Sequence, residues 1–523
     1  MLDANDEAKV IAEDVATLHH LGYGQELLRR MSGFSNYAIS LSIICILAGG
    51  VTSFHEGFCS VGGASIGLGW PLASLLALAF AATMAQVASA FPTAGGLYHW
   101  ASILGGRGWG WATAWFNLAG LIIVLAAINV GTVQFTSQTL ASWLGYDRDH
   151  LSQTASIALQ VGAMAAITFS QALFNHLGIK VTTRLTDFSG YWILIVAVAL
   201  TIAMLCYAPG HDFTRLVTFT NFSGLPVAAD AVTPVWPRTE NVPWLFALGF
   251  LLPMYTITGF DASAHTSEET VGASRNVPRG IVRSVVVSGI FGWIMLAAVV
   301  LAIPDMKEAA LRGENAFTWT LQQVLPPWLN RGLSIGIALA MYLCGLATVT
   351  SASRMAYAFA RDGGLPFSHY LRRVGARYRT PAVAIWTISA LAVAFTIYTP
   401  VYTTIATAAV IFLYLSYTVP TFFGLFAYRR SWTKMGPWSL GGWYRPLAVV
   451  CVLGCVFLVA IGVHPPNDKG LWILLGSLLV TAFFWFAVMR RHFPGPPQSI
   501  CVEQRQADSL VMEEFLAHAS DNK

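Results

Sequence analysis

Long apolar runs alternate with short polar joints along almost the whole chain. A helix needs about 20 mostly apolar residues to cross the hydrocarbon core of a bilayer. On that criterion the pattern predicts about twelve spans. Those of the first half are Phe34–Phe58, Trp70–Ala90, Trp109–Leu140, Ile157–Leu173 and Phe188–Tyr207. A polar stretch, Pro209–Asn241, precedes Pro243–Thr270, Ile281–Ile303, Leu333–Ala360, Pro381–Thr399, Tyr402–Tyr428, Leu447–Val463 and Leu471–Met489. The expected fold class is an all-α integral membrane protein.

Two runs carry interruptions that lipid would not tolerate: Leu47-Ala48-Gly49-Gly50-Val51-Thr52 and Thr256-Ile257-Thr258-Gly259-Phe260-Asp261. Unpaired backbone in hydrocarbon costs several kcal/mol per group, so such breaks persist only along a protein-lined cavity. Interrupted helices at matching places in two halves point to a transporter's binding site. A half-helix starting at Ala48, Gly49, Gly50 and Val51 would hold a carboxylate at its positive end. The alternative is a glycine-mediated helix contact; the matching second break favours a site. There the carbonyls of Ile257, Thr258 and Gly259 are expected to accept from an ammonium group. Tyr255 and Phe260 flank them, and their faces would also suit a quaternary ammonium. For Asp261 two readings stand: a charge facing the cavity, pairing with an amine or taking part in proton coupling, or an N-cap of the next half-helix.

Only 11% of residues are charged and 55% are hydrophobic, with mean hydropathy +0.59; soluble domains carry about 25% charged residues. The net charge of +4 says little, but its placement orients the chain. With the amino terminus in the cytoplasm, inner loops and flanks hold Arg29, Arg30, Arg107, Lys180, Arg184, Arg275, Arg279, Arg372, Arg373, Arg377, Arg379, Arg429, Arg430, Lys434, Arg445, Arg490 and Arg491. The outer loops hold only Arg148, Arg215, Arg238, Lys307, Arg312, Arg331 and Lys469. That bias predicts an even number of spans with both termini inside. Met1–Arg30 is polar and acidic, unlike a secretory signal, and reads as a cytoplasmic tail. The seven cysteines show no metal-type spacing. Cys451 and Cys455 share a helix face, where packing is expected. No Walker motif is present, which argues against ATP as the energy source. Beyond Pro494-Gly495-Pro496-Pro497, Leu510–Ala519 is expected to form a short amphipathic helix.

Three motifs carry a family resemblance: Met84-Ala85-Gln86-Val87-Ala88-Ser89-Ala90-Phe91-Pro92-Thr93-Ala94-Gly95-Gly96-Leu97-Tyr98; Gly259-Phe260-Asp261-Ala262 with Ser267-Glu268-Glu269-Thr270 and Asn276-Val277-Pro278-Arg279-Gly280-Ile281; and Ser353-Arg354-Met355-Ala356-Tyr357-Ala358-Phe359-Ala360-Arg361-Asp362-Gly363-Gly364-Leu365-Pro366. Together they resemble the amino acid–polyamine–organocation (APC) superfamily, and within it the amino acid/choline transporter family of GABA and choline permeases. The resemblance implies a LeuT-like core of ten helices in two inverted five-helix repeats, 34–207 and 243–428, with the first and sixth helices broken. Two peripheral helices occupy 429–491, tails 1–33 and 492–523, and an external loop 208–242. The implied activity is secondary transport of amino acids or related amines such as GABA by alternating access. Choline or polyamine transport, or a transporter-like nutrient sensor, are the alternatives. The implied setting is the plasma or inner membrane, with a small amine compound and the bilayer as partners, no nucleic acid and no cofactor.

Spans three, eight and ten would complete the cavity. Polar candidates there are Asn117, Asn129 and Gln134; Thr348, Thr350, Ser351 and Ser353; and Tyr414, Ser416 and Tyr417, against a default of interhelical bonding. His55 and Glu56 are expected at an outer vestibule. Some superfamily members place a lysine in span five, and this chain has none. The coupling ion therefore stays open: protons at Asp261, Glu56 or His55, sodium at Thr348 and Ser351 with first-break carbonyls, or exchange without an ion. Glu268, Glu269, Arg275, Arg279 and Arg354 are candidate inner-gate residues. As solvated pairs they would contribute only ~0–1 kcal/mol each. A membrane enzyme would need a nucleophile with a base, or a metal cluster; His99, His176 and His265 are scattered, and no such set is evident.

Overall fold

The computed structural model describes residues 4–144, 153–225, 234–398, 402–465 and 467–497. The outer-loop Arg148, Cys501 and the expected tail helix Leu510–Ala519 lie outside the described residues. Among the described residues ten helices are long and apolar enough to cross a bilayer, and the shorter Val242–Thr256 and Ala382–Ile397 bring the number to twelve, as the hydropathy pattern predicts.

Helix α1 (Ala4–His20) precedes the first span. That span is built from α2 (Gly33–Ile44), α3 (Ile46–Thr52) and α4 (Phe54–Val61), and Ser32 caps α2 by accepting from the Ser35 amide (3.1 Å). Then come α5 (Trp70–Ala90), a short helix α6 (Leu97–Gly105) that hydropathy alone does not mark, α7 (Arg107–Leu144), α8 (Gln153–His176) and α9 (Ile179–Tyr207). The sixth span is α10 (Val242–Leu248), α11 (Leu251–Thr256) and α12 (Ala262–His265), followed by α13 (Ala273–Ala302). Two short helices, α14 (Met306–Leu311) and α15 (Ala316–Val324), lead into α16 (Pro327–Arg361). The last are α17 (Ser368–Leu371), α18 (Ala382–Tyr398), α19 (Tyr402–Ala427), α20 (Tyr444–Gly462) and α21 (Asp468–Phe484).

Burial sorts these helices. The first span and α7 are largely enclosed, whereas α8 and α21 expose most of their apolar surface. A helix apolar on all sides with lipid as its solvent has no reason to turn one face inward. In the interior α2 packs on α13, α9 and α16, α7 on α16 and α19, and α3 on α11. The last contact brings the two interrupted spans together.

Residues ahead of the first span are not loose. Asp14 of α1 accepts from the Gly272 and Ala273 amides (2.7 and 3.1 Å), capping α13. The Arg30 and Met31 amides donate to the Glu269 carbonyl (2.9 and 2.7 Å), and the Val271 amide donates back to the Met31 carbonyl (2.9 Å). This strap of residues 14–31 lies across the end of the sixth span.

Candidate functional site

The first break is one residue wide and falls at Cys45 (φ 21°, ψ 84°), not at the glycines. The expectation of an Ala48-Gly49-Gly50 opening is corrected: Ala48, Gly49, Gly50 and Val51 all lie within α3. Neighbours from α16 explain the position. The Cys344 thiol donates to the Ile43 carbonyl (3.2 Å), and the Cys45 thiol faces the Ala340 carbonyl (3.7 Å). The Cys45 carbonyl then accepts from the Ala48 and Gly49 amides (2.8 and 3.1 Å) and starts α3. A new helix start leaves its first amides without partners in a preceding turn. Gly49 serves close approach instead: a Cβ there would sit 2.7 Å from the Thr256 Cα. Gly50 faces Leu296 and Met295 of α13.

The second break falls where the sequence places it. Helix α11 ends at Thr256, and Ile257–Asp261 are unwound. Gly259 takes φ 83°, and a Cβ on it would lie 2.2 Å from Ile43 Cγ2, so the two breaks touch. The opened backbone is satisfied from two sides. Tyr414 of α19 donates its hydroxyl to the Ile257 carbonyl (2.9 Å), the Gly259 amide donates to the Tyr417 hydroxyl (3.1 Å), and Ser40 of α2 donates to the Phe260 carbonyl (2.9 Å). Such pairing is what lets irregular backbone survive at membrane depth. Phe260 packs on the Tyr417 ring (centroids 4.9 Å apart) rather than over the cavity, a second correction.

Between the breaks lies a tight cavity of about 10 Å³, bounded by Ile44, Ala48, Gly49, Val124, Ile128, Tyr255, Thr256, Thr258 and Cys344. Replacing Tyr414 by phenylalanine will strand the Ile257 carbonyl. A buried acceptor left unpaired costs about 1–3 kcal/mol. A lowered melting temperature and a raised KM are expected; a variant unchanged in both would remove Tyr414 from the site's support.

Asp261 is fully buried, and its side chain does not cap α12. Oδ2 accepts from Asn117 Nδ2 of α7 (2.8 Å) and meets His265 Nε2 (3.2 Å), while Oδ1 accepts from the Tyr417 hydroxyl (2.8 Å). The N-cap reading is corrected, and the carboxylate does not line the cavity, because Asn117, His265 and Tyr417 engage it. Asn129 also points elsewhere, donating to Thr168 and Gln171 of α8 (2.8 and 2.9 Å). Thr350 likewise donates to Asn175 of α8 (2.7 Å). From α16 it is Cys344 that meets the first break, and the Thr348 hydroxyl bonds back to the Cys344 carbonyl (2.9 Å). Ser351, seven residues beyond Cys344, has a buried Oγ with no hydrogen-bond partner.

On one side of the central cavity a narrow vestibule of about 30 Å³ is lined by Val51, His55, Gln134, Glu314, Phe317 and Tyr402, among others. Glu56 is buried nearby, its carbonyl accepting from the Trp236 indole (2.8 Å). Only a thin layer separates vestibule from cavity. Tyr402 bonds to Thr52 and Ser53, and its ring meets Tyr255 edge-on at 6.0 Å.

The opposite face, which carries the N-terminal strap, is closed in depth. Arg354 grips both carboxylate oxygens of Glu269 (2.9 and 3.2 Å), with both side chains fully buried. Arg361 does the same to Glu268 (both 2.9 Å), whose Oε1 also accepts from the Ala94 amide (3.0 Å). The expectation of solvated pairs is therefore corrected. Arg275 and Arg279 are exposed and make no ion pair among the described residues, so they drop out of the gate. The strap adds Tyr23, whose hydroxyl, like that of Tyr98, donates to Asp362 (2.8 and 2.7 Å), and Glu26, which accepts from Tyr357 (2.8 Å). Burial pushes the Glu26 carboxyl above its ordinary range, against the pull of Arg361. Burial lowers the Arg29 guanidinium, against Asp14.

Sequence reasoning missed His265, Arg361 and the strap. His265 stands four residues after Asp261 and Arg361 seven after Arg354, spacings that share a helix face and were readable. Nothing in residues 14–31 signals their docking.

A bilayer-spanning bundle whose two broken helices meet at a central cavity, thinly covered on one side and deeply closed on the other, is the architecture of a membrane transporter. The comparisons agree. The sequence model described as amino acid permease matches residues 31–488. The chain is 32% identical over 514 residues to amino-acid permease BAT1 of Arabidopsis thaliana, covering 92% of this chain and 96% of that one. It is 31% identical over 512 residues to a BAT1 homolog of Oryza sativa, covering 90% and 94%. It is 27% identical over 524 residues to the GABA-specific permease of Saccharomyces cerevisiae, covering 95% and 87%. The chain belongs to the amino acid permease family.

Proposed function

We propose that this permease carries small amino acids or related amines such as GABA by alternating access, binding them between the two breaks. The contact of Gly259 with Ile43, with the cavity beside it, is the observation that carries this reading. The carboxylate lies toward the first turn of α3, where helix-start amides favour an anion. The ammonium lies toward the Thr258 carbonyl and Tyr255 on the opposite wall. The strap-bearing face is cytoplasmic, as the basic residues on its loops favour, and the protein sits in the plasma or inner membrane. Transport then requires separating α12 from α16 at that face while the Tyr402 layer stays shut.

Counterflow in proteoliposomes tests this. Vesicles loaded with unlabelled GABA or single L-amino acids should accumulate the labelled compound above the level of protein-free vesicles. No counterflow with any of these compounds would refute the reading.

A further inference from the structure

We infer that Asp261 and His265 together form a proton-binding site that couples substrate movement to a proton. The inference rests on the transport reading above.

The donor count points to a shared hydrogen at this contact. His265 Nδ1 lies 3.1 Å from the Ala94 carbonyl, which can only accept, so Nδ1 carries a hydrogen. His265 Nε2 lies 3.2 Å from Asp261 Oδ2. A neutral imidazole with its hydrogen on Nδ1 offers only a lone pair at Nε2. A bare carboxylate also offers only lone pairs. The contact therefore holds a hydrogen, either on Nε2 as an imidazolium beside a carboxylate or on Oδ2 as a carboxylic acid beside a neutral ring. In both cases the pair holds one proton more than a separated carboxylate and neutral histidine. The other carboxylate oxygen is constrained too. Tyr417 accepts from the Gly259 amide (3.1 Å) and donates to Asp261 Oδ1 (2.8 Å). Asn117 supplies the second fixed donor at Oδ2 (2.8 Å).

Among the described residues no other charged side chain pairs with Asp261 or His265. From α19 the titratable groups are Tyr417 and, beside it, Tyr414 (ring centroids 5.4 Å apart). From α7 comes Asn117, from the α5–α6 turn the Ala94 carbonyl, and from α2 Ser40, which pairs with Ser263 (2.7 Å). Glu268 and Glu269 follow on the same segment, but each is held by an arginine of α16.

The site is placed to couple. His265 ties α12 to the α5–α6 turn, while Asp261 ties it to α7 and α19. The proton joins the two ties. Without it, two lone pairs face each other across the contact and the link is repulsive. The closed strap-bearing face therefore favours the protonated pair. Opening that face pulls Asp261 from Asn117 and Tyr417, admits water and releases the proton on the same side as the substrate. One proton binds and one leaves per cycle.

The test uses the purified full chain in proteoliposomes with labelled GABA, or with whichever L-amino acid gives the strongest counterflow. An inward proton gradient should raise wild-type uptake several-fold, and uptake should dissipate the gradient. His265→Gln should keep counterflow and lose the gradient response. Asn117→Ala, which removes one donor from the carboxylate, should move the pH midpoint of uptake upward. Counterflow without any gradient response in the wild type would overturn the proton site and leave the transport reading intact. A full response in His265→Gln, or an unmoved midpoint in Asn117→Ala, would also overturn it. Absence of counterflow in the wild type would instead refute the transport reading.

Discussion

Glutamine in place of Glu269 will leave Arg354 charged and unpaired in a site with no solvent exposure. Breaking a buried ion pair from one side costs about 3–5 kcal/mol, several times what a surface pair contributes. The Glu269 carbonyl still accepts from Arg30 and Met31, so the strap's backbone contacts remain and the effect isolates the side-chain pair. A clear fall in melting temperature is expected. The closed face should also open more often. Ala358, buried beside Leu27 under the strap, reports this when replaced by cysteine. Its thiol should label faster from the strap-bearing side in the Glu269→Gln background. Exchanging the pair, Glu269→Arg with Arg354→Glu, should recover part of the stability. Unchanged labelling and melting would mean that the pair is not a latch.

Alanine at Gly259 should disable transport through a different route. A positive φ costs an L-residue about 1–2 kcal/mol. The added methyl would also lie 2.2 Å from Ile43 Cγ2, and overpacking adds about 1–3 kcal/mol. Ile43 has little room to yield, because its carbonyl is held by Cys344. The strain falls where the two breaks meet, so substrate counterflow should be lost more completely than folding. Pairing Gly259→Ala with Ile43→Ala removes the clash but not the backbone strain, and partial recovery is expected. The double-mutant comparison separates the two causes. Full counterflow in Gly259→Ala alone would show that this approach is not needed.

Much of the architecture was legible before any contact was known. The helical class, the twelve spans and the second break follow from apolar run length and from Gly259 with Asp261 inside such a run. These are local signals, and lipid enforces them without reference to partners. The first break was misplaced by several residues. Two adjacent glycines look like the weak point of a helix, but a helix opens where a neighbour takes up the freed groups. Cys344 does so for the Ile43 carbonyl beside Cys45, whereas both glycines lie within α3, where Gly49 makes room for α11 and Gly50 faces α13.

The candidate site divides in the same way. Its residue types were readable, but their assignments were not. Asp261 had to face a cavity, cap a helix or find partners, and only the approach of α7 and α19 selected the third. Glu268 and Glu269 were visible as gate candidates. Their burial, and with it their energy, came from α16 and from a strap far away in sequence. Sequence alone determined how many times this chain crosses a bilayer and where it carries costly polar groups, because those costs are charged to single helices. Tertiary structure decided which partner meets each polar group, because that depends on distances between helices that no single helix encodes.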